Sequence, residues 1–503
     1  MLTKLIVLGI YFAILFVIGI VASRRIKGLS DFYVGGKNIG YWAVAFSARA
    51  TGESGWLLLG LTGMGAIAGF SAYWVVLGEL LGVAVSWFLM AKKFKTLSDQ
   101  YNSITIPDFF ESHFKPKSHL LRIVAATALS VFVIIYVSAQ IDVTGKAFES
   151  FLGINYYTGA IAGFLIVLAY IFTGGFVAVV WSDFFQGLLM FLGLVLLPVV
   201  AYWSIDNSSN IVGTLNQIDP GLTSVFGGGD DVWMKVATML GFAMIGLGFL
   251  GSPQIYIRFM SIKSLKEINK GRWVAIVFTL LTDAAAVTIG ILGRYLYTSA
   301  GDNPEAILGN QGEDVLITMI EGAFPLLVIA IYIAIVLSAI MSTIDSLLVL
   351  ASSAVTRDFY QQIFHPEMDE RKMSRISRMV TLVMALFALG IALTVAITTP
   401  ERTVFWFVIF GWSGIAATFC PVIILSLFWS PYSEKGAIAS MLTGFCCVPI
   451  FKFWVQGMEG IGPYFEKLDV LAPSFLLAMI SGYIFTKIFP REKTPSKPIP
   501  QNN

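Results

Sequence analysis

Apolar runs long enough to cross a bilayer recur about thirteen times along this chain, and they set its solvent before any motif is read. A spanning helix needs roughly 20 apolar residues. The runs lie near 5–23, 42–68, 71–91, 119–145, 156–174, 178–204, 232–257, 273–299, 315–354, 376–398, 404–429, 435–456 and 469–488. In hydrocarbon each backbone N–H and C=O must be satisfied within the protein, so runs of this length are helices. The expected fold class is all-α integral membrane, with about thirteen transmembrane helices. The ninth run is too long for one simple crossing, which predicts a tilted helix or one that extends beyond the bilayer.

Composition excludes the soluble alternatives. Of the 503 residues 57% are hydrophobic and 13% charged, and the mean hydropathy is +0.79. A soluble chain carries about 25% charge. Net charge is +2 with no basic tract suited to a phosphate backbone, so no nucleic-acid partner is expected. The three cysteines, Cys420, Cys446 and Cys447, lie in apolar runs and are no disulfide framework. The three histidines, His113, His119 and His365, lie in connecting segments. HExxH, CxxC, GxSxG and GxxxxGK[ST] are absent from the sequence, so metalloenzyme, thiol-enzyme and P-loop ATPase readings have no support and an enzyme is not expected.

Basic residues orient the chain. Alternate loops carry Arg24, Arg25, Lys27 and Lys37; Lys92, Lys93, Lys95, Lys115 and Lys117; Lys263, Lys266, Lys270 and Arg272; Arg371, Lys372, Arg375 and Arg378; and Arg491, Lys493 and Lys497. An intervening loop is acidic and polar around Asp206, Asp219, Asp230 and Asp231. The positive-inside rule then puts the amino terminus outside and the carboxyl terminus in the cytoplasm. Residues 1–490 read as a single transmembrane domain and 491–503 as a short cytoplasmic tail, with no soluble domain expected beyond them.

Two runs are interrupted. The second contains Ala48-Arg-Ala-Thr-Gly-Glu-Ser-Gly-Trp56, polar in the middle of an apolar stretch. The seventh contains Gly246-Leu-Gly-Phe-Leu-Gly-Ser-Pro253, rich in residues that weaken a helix. Backbone groups freed at bilayer depth need a partner in protein, water or ligand. Either break alone reads equally as a kink packed on its neighbours. Two breaks five runs apart are the signature of an inverted-repeat transporter whose site lies at the breaks.

Ionisable residues within the runs are costly and therefore informative. They are Arg49, Glu53, Glu79, Asp142, Asp183, Asp283 and Asp345. Glu79, Asp142 and Asp283 read best as helix-end or locally paired groups. Arg49 and Glu53 are four residues apart and can neutralise each other on one helix face. Asp183 can sit at the membrane interface. In the ninth run Ala339, Ser342, Thr343 and Ser346 share a helix face. Two hydroxyls and a free carbonyl there form an oxygen set for a hard cation, or the face is a packing seam of small residues. Asp345 weighs against a pure seam.

Asp31-Phe-Tyr-Val-Gly-Gly-Lys-Asn-Ile-Gly40, Ser54-Gly-Trp-Leu-Leu-Leu-Gly-Leu-Thr-Gly63, Trp181-Ser-Asp183 and Met341-Ser-Thr343 together resemble the sodium:solute symporter family. Within it the likeness is greatest to bacterial sodium/proline symporters and runs from the first span to about the twelfth. The resemblance implies a leucine-transporter-like core of two inverted five-helix repeats, about 42–204 and 232–429, with two broken helices. It implies sodium-driven uptake of a small amino acid-like solute by alternating access. The carried-over sodium site falls on Ala50, Glu53, Ala339, Ser342 and Thr343, with backbone carbonyls at the first three. Asp183, Asp345 and Ser346 would make a second sodium position. Tyr136 and Pro253 match substrate-pocket positions, and Trp56 follows the break; Ser54, Gly55, Ile245 and Phe249 complete the expected substrate contacts.

The chain also departs from that pattern. The symporters' aspartate three residues before the glycine at Gly55 is Gly52 here, Glu53 follows, and Arg49 precedes it by one turn. A tryptophan and a tyrosine of the seventh span are replaced by Ile245 and Phe249, and a serine by Asp345. Two hypotheses follow. Arg49, or a proton on Glu53, supplies the charge a cation supplies elsewhere, giving proton coupling; alternatively Asp183 and Asp345 strengthen a cation site. The expected role is a secondary symporter in a bacterial-type inner membrane. A symporter of the same fold for another solute and a non-transporting membrane sensor are the competing readings.

Overall fold

The computed structural model describes residues 2–24, 28–171, 175–205, 210–228, 231–368 and 370–491. Among them every named element is helical, with one isolated bridge between Ile39 and Ile262. Arg25, Lys27, Asp206, Asp230, Lys493, Lys497 and the tail beyond Arg491 lie outside the described residues.

The principal helices are α1 (Leu2–Ser23), α2 (Tyr41–Trp56), α3 (Tyr73–Val85), α4 (Ile106–Phe114), α5 (Leu120–Leu152), α6 (Tyr156–Ile171), α7 (Gly175–Trp203), α8 (Val232–Met244), α9 (Pro253–Ser261), α10 (Leu265–Tyr297), α11 (Leu326–Ser353), α12 (Glu370–Thr398), α13 (Val404–Phe428), α14 (Glu434–Phe453) and α15 (Leu471–Ile488). Among the described residues, 11 helical stretches are long and apolar enough to cross a membrane. The second and third apolar runs fall in one such stretch, Tyr41–Gln100, which turns where Gly69 takes φ +58°. The fifth run gives α6, described over the 16 residues Tyr156–Ile171. A count of thirteen crossings is therefore not reproduced as thirteen separate long helices.

The ninth run is divided, and the helical stretch Leu326–Phe364 after the division is 39 residues long, more than one simple crossing needs. Val315–Ala323 ends at Phe324, which is extended at φ −127°, ψ 150°. Pro325 follows and α11 starts at Leu326. Proline's ring excludes the residue before it from helical geometry, so the length conceals a break.

Burial separates core from rim. The apolar stretch of Leu326–Phe364 is 78% buried and that of Val404–Phe428 is 89% buried, against 22% for Glu434–Gly457. Thus α11 and α13 are walled in by other helices, while α14 faces outward. Leu2, Trp203, Phe387, Leu476 and Ile488 are exposed, as lipid-facing side chains are. The broken helix α2 packs against α7, α10 and α11. Glycine permits close approach where the segment Ile245–Leu250 crosses α3: a Cβ on Gly246 would stand 2.0 Å from the Gly78 carbonyl oxygen.

Candidate functional site at the two helix breaks

Both interruptions expected from sequence are present. Within α2, Ser54 leaves helical geometry at φ 51°, ψ −171°, a region costly for any residue with a Cβ. The freed Gly55 amide donates to Gln140 Oε1 at 3.1 Å, and Gln140 Nε2 faces Ser54 Oγ at 3.4 Å. Gln140, from α5, therefore satisfies part of the break. In the second interruption α8 tightens into a 3₁₀ turn over Ile245–Leu250 and stops at Gly251. Ser252 is extended, and Pro253 opens α9 at its first position, where its missing N–H costs nothing.

The carbonyls and hydroxyls proposed for sodium converge. Ser342 Oγ lies 3.2 Å from the Ala50 carbonyl oxygen and 3.1 Å from that of Ala339. Thr343 Oγ1 lies 3.3 Å from the Thr51 carbonyl oxygen and 3.2 Å from that of Ala339. All are buried. Thus α2 and α11 present neutral oxygens to one another, the donor chemistry that suits a hard monovalent cation. Glu53 does not join them by its side chain, which accepts from Arg49 Nε at 3.0 Å, Arg49 Nη2 at 2.5 Å and Thr282 Oγ1 at 3.1 Å. Its carbonyl accepts the Leu57 amide.

The second cation position is built around a residue the sequence did not single out. Arg258 of α9 is fully buried. Its Nη2 donates to Thr51 Oγ1 at 2.6 Å, Ser346 Oγ at 2.6 Å and Asp183 Oδ2 at 2.8 Å, and its Nε to Ser47 Oγ at 2.7 Å. Asp183 is buried rather than interfacial. Asp345 Oδ1 accepts the Ser346 amide at 2.6 Å. A guanidinium thus stands among the oxygens expected to hold a second sodium.

Arg49 has a different environment. Its Nη2 meets Glu53 at 2.5 Å, Glu79 of α3 at 3.3 Å and Asp283 of α10 at 3.9 Å. Phe249 covers the guanidinium with its ring centroid 4.6 Å away. Glu79 and Asp283 are therefore not helix-end groups; they share one buried cluster with Arg49 and Glu53. Asp142 is locally paired, with Arg402 and with the Tyr156 hydroxyl at 2.6 Å.

The expected substrate residues border the breaks. Tyr136 is buried, and its hydroxyl has no hydrogen-bond partner. Trp412 of α13, which sequence reasoning missed, joins Tyr136 (6.4 Å between rings) to Phe249 (5.1 Å) and donates its indole N–H to the Ile245 carbonyl at 3.2 Å. Gln254, beside Pro253, has both amide atoms buried without a protein partner. Trp56 meets the edge of Phe405 at 6.3 Å. Phe405 also lines a cavity of about 850 Å³ with Gly60, Met64, Arg402, Trp406 and Lys452.

A membrane bundle with two helices broken beside converging neutral oxygens and aromatic rings has the architecture expected of an ion-coupled secondary transporter. The comparisons agree. The model of the sodium:solute symporter family matches residues 32–444. The chain is 34% identical over 470 residues to the high-affinity proline transporter PutP of Bacillus subtilis (strain 168), covering 93% of this chain and 94% of that one. It is 32% identical to the osmoregulated proline transporter OpuE of the same strain, covering 97% and 95%. Identity to sodium/proline symporter 2 of Staphylococcus saprophyticus is 33%, covering 95% and 91%. Among solved structures, a Na+-coupled sialic acid symporter in a substrate-bound outward-open state superimposes with a TM-score of 0.77 at 18% identity, over 98% of this chain and 99% of that one; this likeness speaks for the fold. The chain belongs to the sodium:solute symporter family, and it is a multi-pass membrane transporter rather than an enzyme.

Proposed function

We propose that the protein is a sodium-coupled symporter that takes up proline or a closely related small amino acid. The observation that carries this reading is near full-length similarity, at about a third identity, to proteins named as proline transporters and sodium/proline symporters. In this reading Ala50, Ala339, Ser342 and Thr343 hold the sodium ion between α2 and α11. Asp183 and Ser346 hold Arg258, so that position carries the protein's own cation and one sodium accompanies each solute. Ser54, Gly55, Trp56, Tyr136, Ile245, Phe249, Pro253 and Trp412 surround the solute. With Ile245 and Phe249 in place of polar aromatic groups, the pocket favours an apolar ring over a polyhydroxylated sugar.

The two repeats run over about 42–204 and 232–429, each opened by a broken helix. The basic loops place the amino terminus outside and the carboxyl terminus in the cytoplasm of a bacterial inner membrane. The cavity lined by Phe405 and Lys452 then opens to the outside.

Equilibrium binding of radiolabelled proline to the purified protein tests this reading. Binding in sodium chloride, absent in choline chloride and displaced by unlabelled proline, is expected. Displacement only by another solute would reassign the substrate, and binding indifferent to sodium would overturn the coupling.

A further inference from the structure

The Arg49 cluster has too much negative charge for a closed structural pairing. Three carboxyl groups, Glu53, Glu79 and Asp283, converge on a single nitrogen of Arg49 at 2.5, 3.3 and 3.9 Å. With every group ionised, four wholly buried side chains would carry a net charge of −2. Charges taken out of water need matched partners, and among the described residues no second guanidinium or ammonium is paired with these carboxyls. The Arg258 guanidinium is committed to Asp183. Positions 47 and 51, which bind that pair, and positions 49 and 53 point to different faces of α2.

Unpartnered atoms point the same way. Arg49 Nη1, Glu53 Oε2 and Asp283 Oδ2 are all buried without a hydrogen-bond partner, whereas a structural network is normally saturated. Glu79 and Asp283 face the same Arg49 nitrogen, at 3.3 and 3.9 Å. Two neighbouring carboxylates only accept; a proton on one lets it donate to the other. The neighbouring elements add no compensating charge. From α5 comes the Tyr136 hydroxyl, near Glu79; from α10 the neutral Thr282; from Ile245–Leu250 the Phe249 ring. Among the described residues no group of His, Cys, Asp and Glu is arranged to hold a metal ion.

We propose that Arg49, Glu53, Glu79 and Asp283 form an exchangeable proton-binding site, with the proton shared between Glu79 and Asp283, that ties closure of the core to pH. The cluster joins α2, at the turn before its break, to α3 and α10. Loss of the proton sets two adjacent carboxylates against each other, which opposes the packing of α3 on α10. The protonated state therefore belongs to the arrangement described here, and the deprotonated state to one in which these helices have parted and water reaches the carboxyls.

Infrared spectroscopy of the protein in lipid tests the site without using transport. At neutral pH the wild type should show a protonated carboxylic-acid band that shifts in D2O and is lost toward alkaline pH. Glu79→Gln and Asp283→Asn should each remove it, and Asp283→Glu should move it. Absence of the band from the wild type, failure to exchange in D2O, or persistence in both amide variants would overturn the proposal. If the amide variants do not fold, the wild-type spectrum and Asp283→Glu still decide. A second arm rests on the sodium–proline reading: uptake should decline through one ionisation toward alkaline pH, and Glu79→Gln should flatten that decline at least several-fold. A pH-independent wild-type uptake would contradict the link to closure. Absence of proline uptake at all pH values would instead count against the substrate assignment, and the infrared arm would stand.

Discussion

Arg258 donates through Nη2 to Asp183 Oδ2 at 2.8 Å, with both side chains buried between the broken helix and its neighbours. Removing one partner of a buried pair costs about 3–5 kcal/mol, because the other charge remains without compensation. Asp183→Ala should accordingly unfold in detergent at a much lower temperature than wild type. Replacing both, as in Asp183→Leu with Arg258→Met, should cost less than the two single changes summed. Thermal unfolding of the four proteins reads this directly; additive losses would mean that the pair is not coupled.

Ser342 and Thr343 bring hydroxyl oxygens within 3.3 Å of the Ala50, Thr51 and Ala339 carbonyls. A polar contact to a charged group contributes about 1.5–3 kcal/mol. Ser342→Ala or Thr343→Ala should therefore weaken apparent sodium affinity roughly 10- to 100-fold, and proline affinity at saturating sodium should change little. Sodium titrations of proline binding provide the check.

Close backbone crossing makes Gly246 intolerant of a side chain. A Cβ there would meet the Gly78 carbonyl at 2.0 Å, whereas one at Gly390 would meet nothing within 4 Å. Gly246→Ala should lose about 3 kcal/mol or fail to fold, as overpacking against immovable backbone does. Gly390→Ala, in an open helix interior, should be neutral or stabilising by about 0.5–1 kcal/mol. Yield and thermal stability of the two variants give opposite results if the crossing is as described.

His113, in the connecting helix α4, sits against Phe109 and Phe114. Burial, and secondarily the Arg491 charge, push its imidazole down to about 4. Arg491 also donates to the His113 carbonyl at 2.6 Å. A depressed histidine binds fewer protons folded than unfolded between about 6.5 and its folded value. Its contribution is therefore present above pH ~6.5 and is lost as pH falls toward 4, by roughly 3 kcal/mol at most. Stability measured from neutral to acid pH should fall more gently in His113→Gln than in wild type.

The breaks in α2 and at Ile245–Leu250 were legible because glycine, proline and polar residues stand where a spanning helix needs none. Ser342 and Thr343 were legible from helical spacing. Arg258 was not: it lies near the end of an apolar run, where a basic residue reads as a loop anchor, and only folding brings it to Asp183, 75 positions away. Glu79 and Asp283 read in the sequence as helix-end or locally paired groups for the same reason, since nothing local shows that both meet Arg49. Pro325 was in plain view, yet the unbroken hydropathy around it masked the division of the ninth run.

The most direct test of the account is accumulation of radiolabelled proline in proteoliposomes under an imposed inward sodium gradient. Transient accumulation above the external concentration is expected, abolished when potassium or choline replaces sodium and greatly reduced by Thr343→Ala. Equal uptake with and without the sodium gradient would contradict it.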